Sequence, residues 1–349
     1  WKVRMKFAIA YVIGDTEQHD KLCGRMGSRN KHSKGLCRHC NCPTQYTVNP
    51  AQQFSHDRRL YKPDDFHGVV GVSDEQNQLH LQQKSHHFIT NCFHRLNFGS
   101  NSHNIHLASP GETLHQHQLG VAKRCMECFA FLVRGKKVYD SIETLSRNYG
   151  VHIARQSDRN FPRTRFPSVL NTTKRQGHDY AGMLLCVLIT IVSKGGQRIL
   201  SRSLPNVFDT EFLNKQVHLI ELILCMEEFL KHGQLRKGDL KDLPKLIVHF
   251  INCITSTCKR EGMGNRLIKN HLYFHLHDYM TQWGQPKGWD SAFSESHHKG
   301  SIKAPSKATQ QNQHTLIEQT ANRKTEYKNI TIAKLHYQTI EQSVPQTNP

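Results

Sequence analysis

Cys37 and Cys40 stand three residues apart, and two thiolates at that spacing can grip one tetrahedral Zn²⁺ from a tight turn. Cys23 and Cys42 are near in sequence, but a closed site needs four ligands and only the Cys37–Cys40 pair has the ideal spacing. Reduced thiols that bind nothing are the alternative. His271 and His275 are four apart, with His277 beyond. On a helix, residues four apart share a face, so both imidazoles can reach one ion. In a chain with 25 histidines such a pair is weak alone, but with Cys37 and Cys40 it completes a four-ligand set. The long stretch between the two pairs is no obstacle, because distant segments can meet in space. A second CxxC, Cys125 to Cys128, falls inside a helical apolar pattern and reads as helix packing.

Three acids could do a different chemistry. Asp15 ends the apolar stretch FAIAYVIG, Glu295 sits beside His297, His298 and Lys299, and Glu112 opens the block GETLH. Two hard carboxylates brought together can hold Mg²⁺, and two such ions can activate water and stabilise the leaving oxygen in phosphodiester cleavage. Spacing alone does not select these acids, since an Asp after an apolar run is also an ordinary turn former. The segment 155–178, RQSDRNFPRTRFPSVLNTTKRQGH, carries Arg155, Arg159, Arg163, Arg165, Lys174 and Arg175, interleaved with Phe161 and Phe166. It could neutralise phosphates and stack on unpaired bases, or be a solvated basic loop.

The elements that must position these residues follow from periodicity. Residues 5–14 are rich in β-branched and aromatic residues and predict a buried strand. Residues 20–45 are basic and Gly-containing; they cannot form a core alone, so a metal would help to order them. Residues 46–110 are polar and His-rich and predict loops and short helices. From Glu112 onward Leu114, Leu119, Ala122, Cys125, Phe129 and Leu132 fall mostly at three- and four-residue steps. Residues 179–195, 211–232 and 243–257 continue the helical pattern. A His-rich helix is expected to end near Trp283-Gly284, followed by a turn at Pro286 and Gly288 and a second helix capped by Asp290 that carries Glu295. Beyond 305 the tail is polar and Gln- and Thr-rich.

The 349 residues carry 47 Lys and Arg against 28 Asp and Glu, a formal net charge of +19. Such a surface attracts polyanions, nucleic acid foremost. The longest near-apolar run, 181–192, is too short to span a bilayer, so no membrane partner is expected. Eleven cysteines, an odd number in a chain this large, argue for a reducing compartment and a metal site over a disulfide framework.

Taken in order, the blocks FAIAYVIGDTEQHDKLCG, CRHCNCP, SPGETLHQHQLGVAKR, RQSDRNFPRTRF and HLYFHLHDYMTQWGQPKGWDSAFSESHHKGSIKAP resemble the transposases of Plavaka and KDZ type elements, relatives of the CACTA (EnSpm) transposases. The resemblance runs from about residue 6 to about residue 310. It implies an α/β ribonuclease-H-like core of the DDE type, interrupted by a large, mainly α-helical insertion and stabilised by zinc. It implies two Mg²⁺ or Mn²⁺ ions held by three acids, which drive DNA hydrolysis and then strand transfer. Asp15 matches the second acid and Glu295 the third, while the first would lie upstream of Trp1, as in an N-terminally truncated copy. Cys37 and Cys40 match the family's CxxC, and His271 and His275 its helical His pair. The family's Asp-x-x-His appears here as Glu112 and His115, which leaves the role of Glu112 open.

The expected organisation is a core strand in 1–22, a zinc segment in 23–45, a helical insertion in 46–264, catalytic-core helices in 265–305 and a polar tail in 306–349. The expected setting is nuclear, with transposon ends and target DNA as partners and room for a homo-oligomer. One rival is a catalytically dead, zinc-dependent DNA-binding protein derived from such an element. Another is an unrelated basic helical nucleic-acid-binding protein without zinc.

Overall fold

In a computed structural model the apolar steps become helices. The structure describes residues 9, 11–27, 33–53, 60–61, 65, 73–87, 93, 96, 98, 105–135, 138–156, 162–203, 210–234, 236–292, 302, 304–309 and 315–343. The chain divides into two units, Trp1–Asp290 and Ser291–Pro349.

The first unit begins with three short helices, α1 (Thr16–Leu22), α2 (Pro50–Gln53) and α3 (Asp74–Gln82). Asp15 caps α1 by accepting the Gln18 N–H at 2.7 Å. Ser73 and Gln76 form a reciprocal capping box on α3. A π-helical stretch, Leu114–Ala122, then leads into α4 (Lys123–Gly135). Helices α5 (Tyr139–Gln156), α6 (Asp179–Val192), α7 (Lys194–Ser203), α8 (Thr210–Lys231) and α9 (Lys237–Thr257) complete the helical body. Helix α6 is the centre of it. Its sequence is apolar on nearly every face, and Met183, Leu184, Cys186, Val187 and Ile191 are all buried against α5 and α8. Leu219, Ile220 and Ile223 of α8 meet the same core as Ile247, Phe250 and Ile254 of α9. The chain then runs through α10 (Ile268–His271), a 3₁₀ turn (Leu272–His275) and α11 (Leu276–Trp283), and a second 3₁₀ turn (Pro286–Trp289) follows. The second unit contains α12 (Ala304–Lys307) and the long, largely exposed α13 (Leu316–Ser343).

The expected α/β ribonuclease-H-like core is not what forms. Among the described residues there is no β-strand, and pairing is confined to isolated bridges at Arg25–His86, Gly35–Pro43 and Cys40–Leu60. Within the segment 5–14 expected as a buried strand, the described residues have no regular structure, and Ile9 and Ile13 are exposed. A strand is stabilised by ladders on its flanks; among the described residues Val12 N–H bonds to the Ala108 carbonyl at 2.8 Å and the Val12 carbonyl meets His19 Nε2 at 3.0 Å, contacts to a loop and a side chain and not a ladder. Tyr11 finds its burial edge-to-face on Trp283 and donates its hydroxyl to the Gly288 carbonyl at 2.9 Å. The helices 265–292, expected as part of a catalytic core, accordingly flank no sheet among the described residues.

The basic segment is laid tightly across α5 and α6. A Cβ on Gly182 would overlap the Arg163 carbonyl oxygen, and one on Gly150 would overlap that of Thr164. Thr164 Oγ1 in turn donates to the Gly150 carbonyl at 2.8 Å. The absence of side chains at these two glycines lets the loop backbone touch both helices.

Candidate metal centre

Cys37, Cys40, His271 and His275 meet in the interior, with one donor atom from each lying within 4.8 Å of the others. All four are 1% exposed or less, so solvent reaches none of them. Cys37 Sγ is 3.3 Å from His275 Nε2, Cys40 Sγ is 3.3 Å from His271 Nε2, and the two Nε2 atoms are 3.2 Å apart. A tetrahedral ion with bonds of about 2.0–2.3 Å to nitrogen and sulfur requires ligand atoms about 3.3–3.8 Å apart. These three separations meet that test to about a tenth of an ångström, and the remaining ones lie within 4.8 Å. Its donor set, two thiols and two imidazoles, suits a borderline-soft divalent metal and not Mg²⁺ or Ca²⁺.

The surroundings of Cys37, His271 and His275 favour a ligating state. His271 Nδ1 lies 3.0 Å from the Thr47 carbonyl, so Nδ1 carries the proton and Nε2 presents a lone pair. His275 Nδ1 faces the Asp278 carboxylate at 3.7 Å, the same orientation by a longer contact. Burial pushes the His271 imidazole down, which keeps it neutral. Burial pushes the Cys37 thiol up, but a hydrogen bond from Cys40 and the imidazoles of His275 and His271 outweigh it, and the thiol lies well below its usual range. The backbone N–H of His39 also points at Cys37 Sγ at 3.2 Å. Ile268, Leu272 and Cys42 pack around the cluster as an apolar shell.

Sequence reasoning missed the residues that lock this knuckle. Arg38 lies between the two cysteines, is fully buried, and donates to the Ser109 carbonyl at 2.8 Å. It pairs with Asp20 at 3.5 Å and donates to His19 Nδ1 at 3.2 Å. His19 Nε2 lies 3.0 Å from the Val12 carbonyl and serves as donor there, which leaves Nδ1 free to accept from Arg38. The one available signal was the presence of Arg and His inside CRHC, where small or flexible residues would have sufficed. On the other side Tyr273, between the two ligand histidines, donates its hydroxyl to His117 Nδ1 at 2.6 Å, while His117 Nε2 meets the Ile223 carbonyl at 3.1 Å. The 3₁₀ turn is thereby tied to the π-helical stretch and to α8. His271 and His275 span a change of winding, from α10 into the 3₁₀ turn, and not one continuous helix.

The other expected site residues do not join this centre. His277 faces Asp278 and is half-buried. Cys23 Sγ lies near Ser109 Oγ at 3.6 Å, and Cys42, whose Sγ donates to the Pro43 carbonyl at 3.4 Å, packs against the four donors without being one of them. Cys125 is buried in α4, as helix packing requires. The Asp15 carboxylate caps α1, and Glu112 is buried with its carboxylate accepting the His115 N–H at 2.7 Å and bonded to the same residue's ring. Glu295 lies outside the described residues, as does Arg159. Among the described residues no trio of carboxylates converges on a point.

Of the basic segment, Arg155, Arg163, Arg165 and Lys174 are exposed. Arg163 and Arg175 both lie over the Phe166 ring, at 5.2 and 5.4 Å, and Arg163 also pairs with Asp179 at 3.7 Å. Phe166 is 3% exposed, so it anchors the loop and has no face to offer a base. Phe161 lies outside the described residues. Compared with family models and with curated proteins, the chain matches none.

Proposed function

We propose that this chain is part of a nuclear transposase of the Plavaka and KDZ type, and that its described residues form a zinc-pinned helical body that holds DNA. The observation that carries the reading is the convergence of Cys37, Cys40, His271 and His275, the ligand set that the resemblance assigns. Zn²⁺ is the ion this set fits. With four protein ligands and no open position it acts as a cross-link, not as a Lewis acid. The net charge of +19 and the exposed Arg155, Arg163, Arg165 and Lys174 supply the attraction for phosphates.

A second reading keeps the DNA-holding body and drops the cleavage. It is favoured by the engagement of the Asp15 carboxylate as a helix cap and of Glu112 with His115. Zinc analysis, salt-dependent duplex binding and a cleavage assay separate the outcomes. One tightly held zinc per chain is expected at the buried centre, and Cys37→Ser/Cys40→Ser should lose that equivalent. DNA affinity should fall steeply with salt, and Arg165→Ala and Lys174→Ala should each lower the slope of log affinity against log salt by about one. Nicking that requires Mg²⁺ or Mn²⁺ and vanishes in Glu295→Gln decides for the transposase, and its absence in a protein joined to the acid that the resemblance places upstream decides for the binding-only descendant. Affinity indifferent to salt and to both substitutions overturns the DNA reading altogether.

A further inference from the structure

Helices α8 and α9 pack along a seam whose buried residues include Leu219, Ile220 and Ile223 on one side and Ile247, Phe250 and Ile251 on the other. At its solvent edge three donors meet. His218 is exposed on α8, His249 is exposed on α9, and Cys253, one turn after His249, is half-buried. Their donor atoms all lie within 4.8 Å of one another. His218 Nε2 and His249 Nε2 are 2.8 Å apart, and Cys253 Sγ is 3.9 Å from His249 Nε2. No acid belongs to the group, and the set is two nitrogens and one sulfur.

We propose that His218, His249 and Cys253 form a second metal site, open to solvent, for a divalent transition metal of the zinc type. Three features support it. The spacing of His249 and Cys253 puts both on one face of α9, and the packed seam brings His218 opposite them, so the backbone positions are fixed before metal arrives. The distances bracket those of a tetrahedral ion, which needs its two nitrogens about 3.3 Å apart and nitrogen and sulfur about 3.5 Å apart. A shift of about half an ångström in two exposed side chains reaches both values. Finally, the two Nε2 atoms at 2.8 Å can share only one hydrogen in the metal-free state; moving that hydrogen to Nδ1 of the same ring turns both lone pairs toward the ion.

This site differs from the buried centre in kind. Three protein ligands leave a fourth position for water or for a donor from another molecule, the arrangement of exchangeable and reactive zinc sites. Binding would also clamp α8 to α9. Mg²⁺ and Ca²⁺, which take oxygen ligands, should not compete.

The test uses the full chain with its buried centre filled. Holoprotein freed of loose metal is titrated with Zn²⁺ and, in parallel, with Co²⁺, whose thiolate bond gives a charge-transfer band. One further equivalent beyond the buried one is expected, with a rise in thermal midpoint. His218→Ala and His249→Ala should each weaken that equivalent at least about tenfold while leaving the first one bound. Cys253→Ser should remove the added charge-transfer intensity. Circular dichroism of the exposed variants reports that they remain folded. Failure to take up a further equivalent overturns the proposal. So does uptake that all three variants leave unchanged, since that metal would sit elsewhere among the histidines. Equal effects of Mg²⁺ would reduce the signal to ionic strength and overturn it as well.

Discussion

His19 shows how a single buried imidazole enters the stability of the metal knuckle without touching metal. Burial, and then the neighbouring Arg38 guanidinium, lower its pKa from 6.5 to about 3. Folded His19 therefore stays neutral where the unfolded chain takes up a proton. Above pH 6.5 the ring is neutral in both states and costs nothing. As pH falls from 6.5 toward 3, the unfolded state binds the extra proton and stability declines, by up to about 1.4 kcal/mol per pH unit from this residue. His19→Gln keeps a donor for Val12 and an acceptor for Arg38 but cannot titrate. We expect it to flatten the fall in urea midpoint as pH drops from 6.5 toward 3. An unchanged slope would mean that His19 is charged in the fold. At this scale the sequence was legible where chemistry restricts the residue types. Cys37, Cys40, His271 and His275 could be named because few other residues ligate a soft metal. Asp15 could not be given its role, because a carboxylate after an apolar run serves as helix cap or as ion ligand with the same spelling. Arg38 was hidden for a related reason: a charged residue reads as surface until its partners, Asp20, His19 and Ser109, are brought to it by the fold.

Helices α6, α8 and α9 were legible because apolar residues at three- and four-residue steps have few other solutions than one buried helical face. The strand expected at 5–14 failed because a short apolar run specifies burial without specifying the partner, and here the described part of it meets Trp283 and a loop, not a sheet. The break in winding across α10, the 3₁₀ turn and α11 was not visible either, since histidines four apart read as one helix. What sequence patterning leaves out most completely is close approach between elements. The basic segment is seated by Gly182 of α6 and Gly150 of α5, and neither glycine carries a local turn signal. Gly182→Ala puts a methyl group into the Arg163 carbonyl, with backbone on both sides and no flexible side chain to yield. Overpacking of this kind costs about 1–3 kcal/mol. The expected result is a lower thermal midpoint together with weaker duplex-DNA binding, because Arg163 and Arg165 move with the loop. A variant that loses stability but binds DNA as before would detach the segment from the DNA interface.

On the scale of the whole molecule the metal centre closes a very long loop, joining residues 231 positions apart at Cys40 and His271. A cross-link that closes a loop of this length removes conformational freedom from the unfolded chain worth roughly 5 kcal/mol. Natural domains have total stabilities of about 5–15 kcal/mol, so a contribution of that size decides whether the body is folded. The same ion neutralises a buried set of thiols and imidazoles that would otherwise be costly to desolvate. The helical core of α4 to α9 does not depend on it directly, whereas among the described residues the apolar contacts of segments 11–27 and 33–49 are to the knuckle, to the small cluster of Cys23, Phe98, Ile105 and Ala108, and to the large core through Tyr11 and Val48. Removing the metal with a chelator is therefore expected to shift the urea midpoint strongly downward and to release the Cys-rich segment first. Proteolysis within 20–50 should become fast before far-ultraviolet circular dichroism from the helices is lost. Adding back Zn²⁺ should restore both, and Cys37→Ser should behave as the chelated protein from the start. Identical midpoints and cleavage rates with and without metal would mean that the four side chains meet for packing alone, and the cross-link between the two distant ends of the unit would carry no weight.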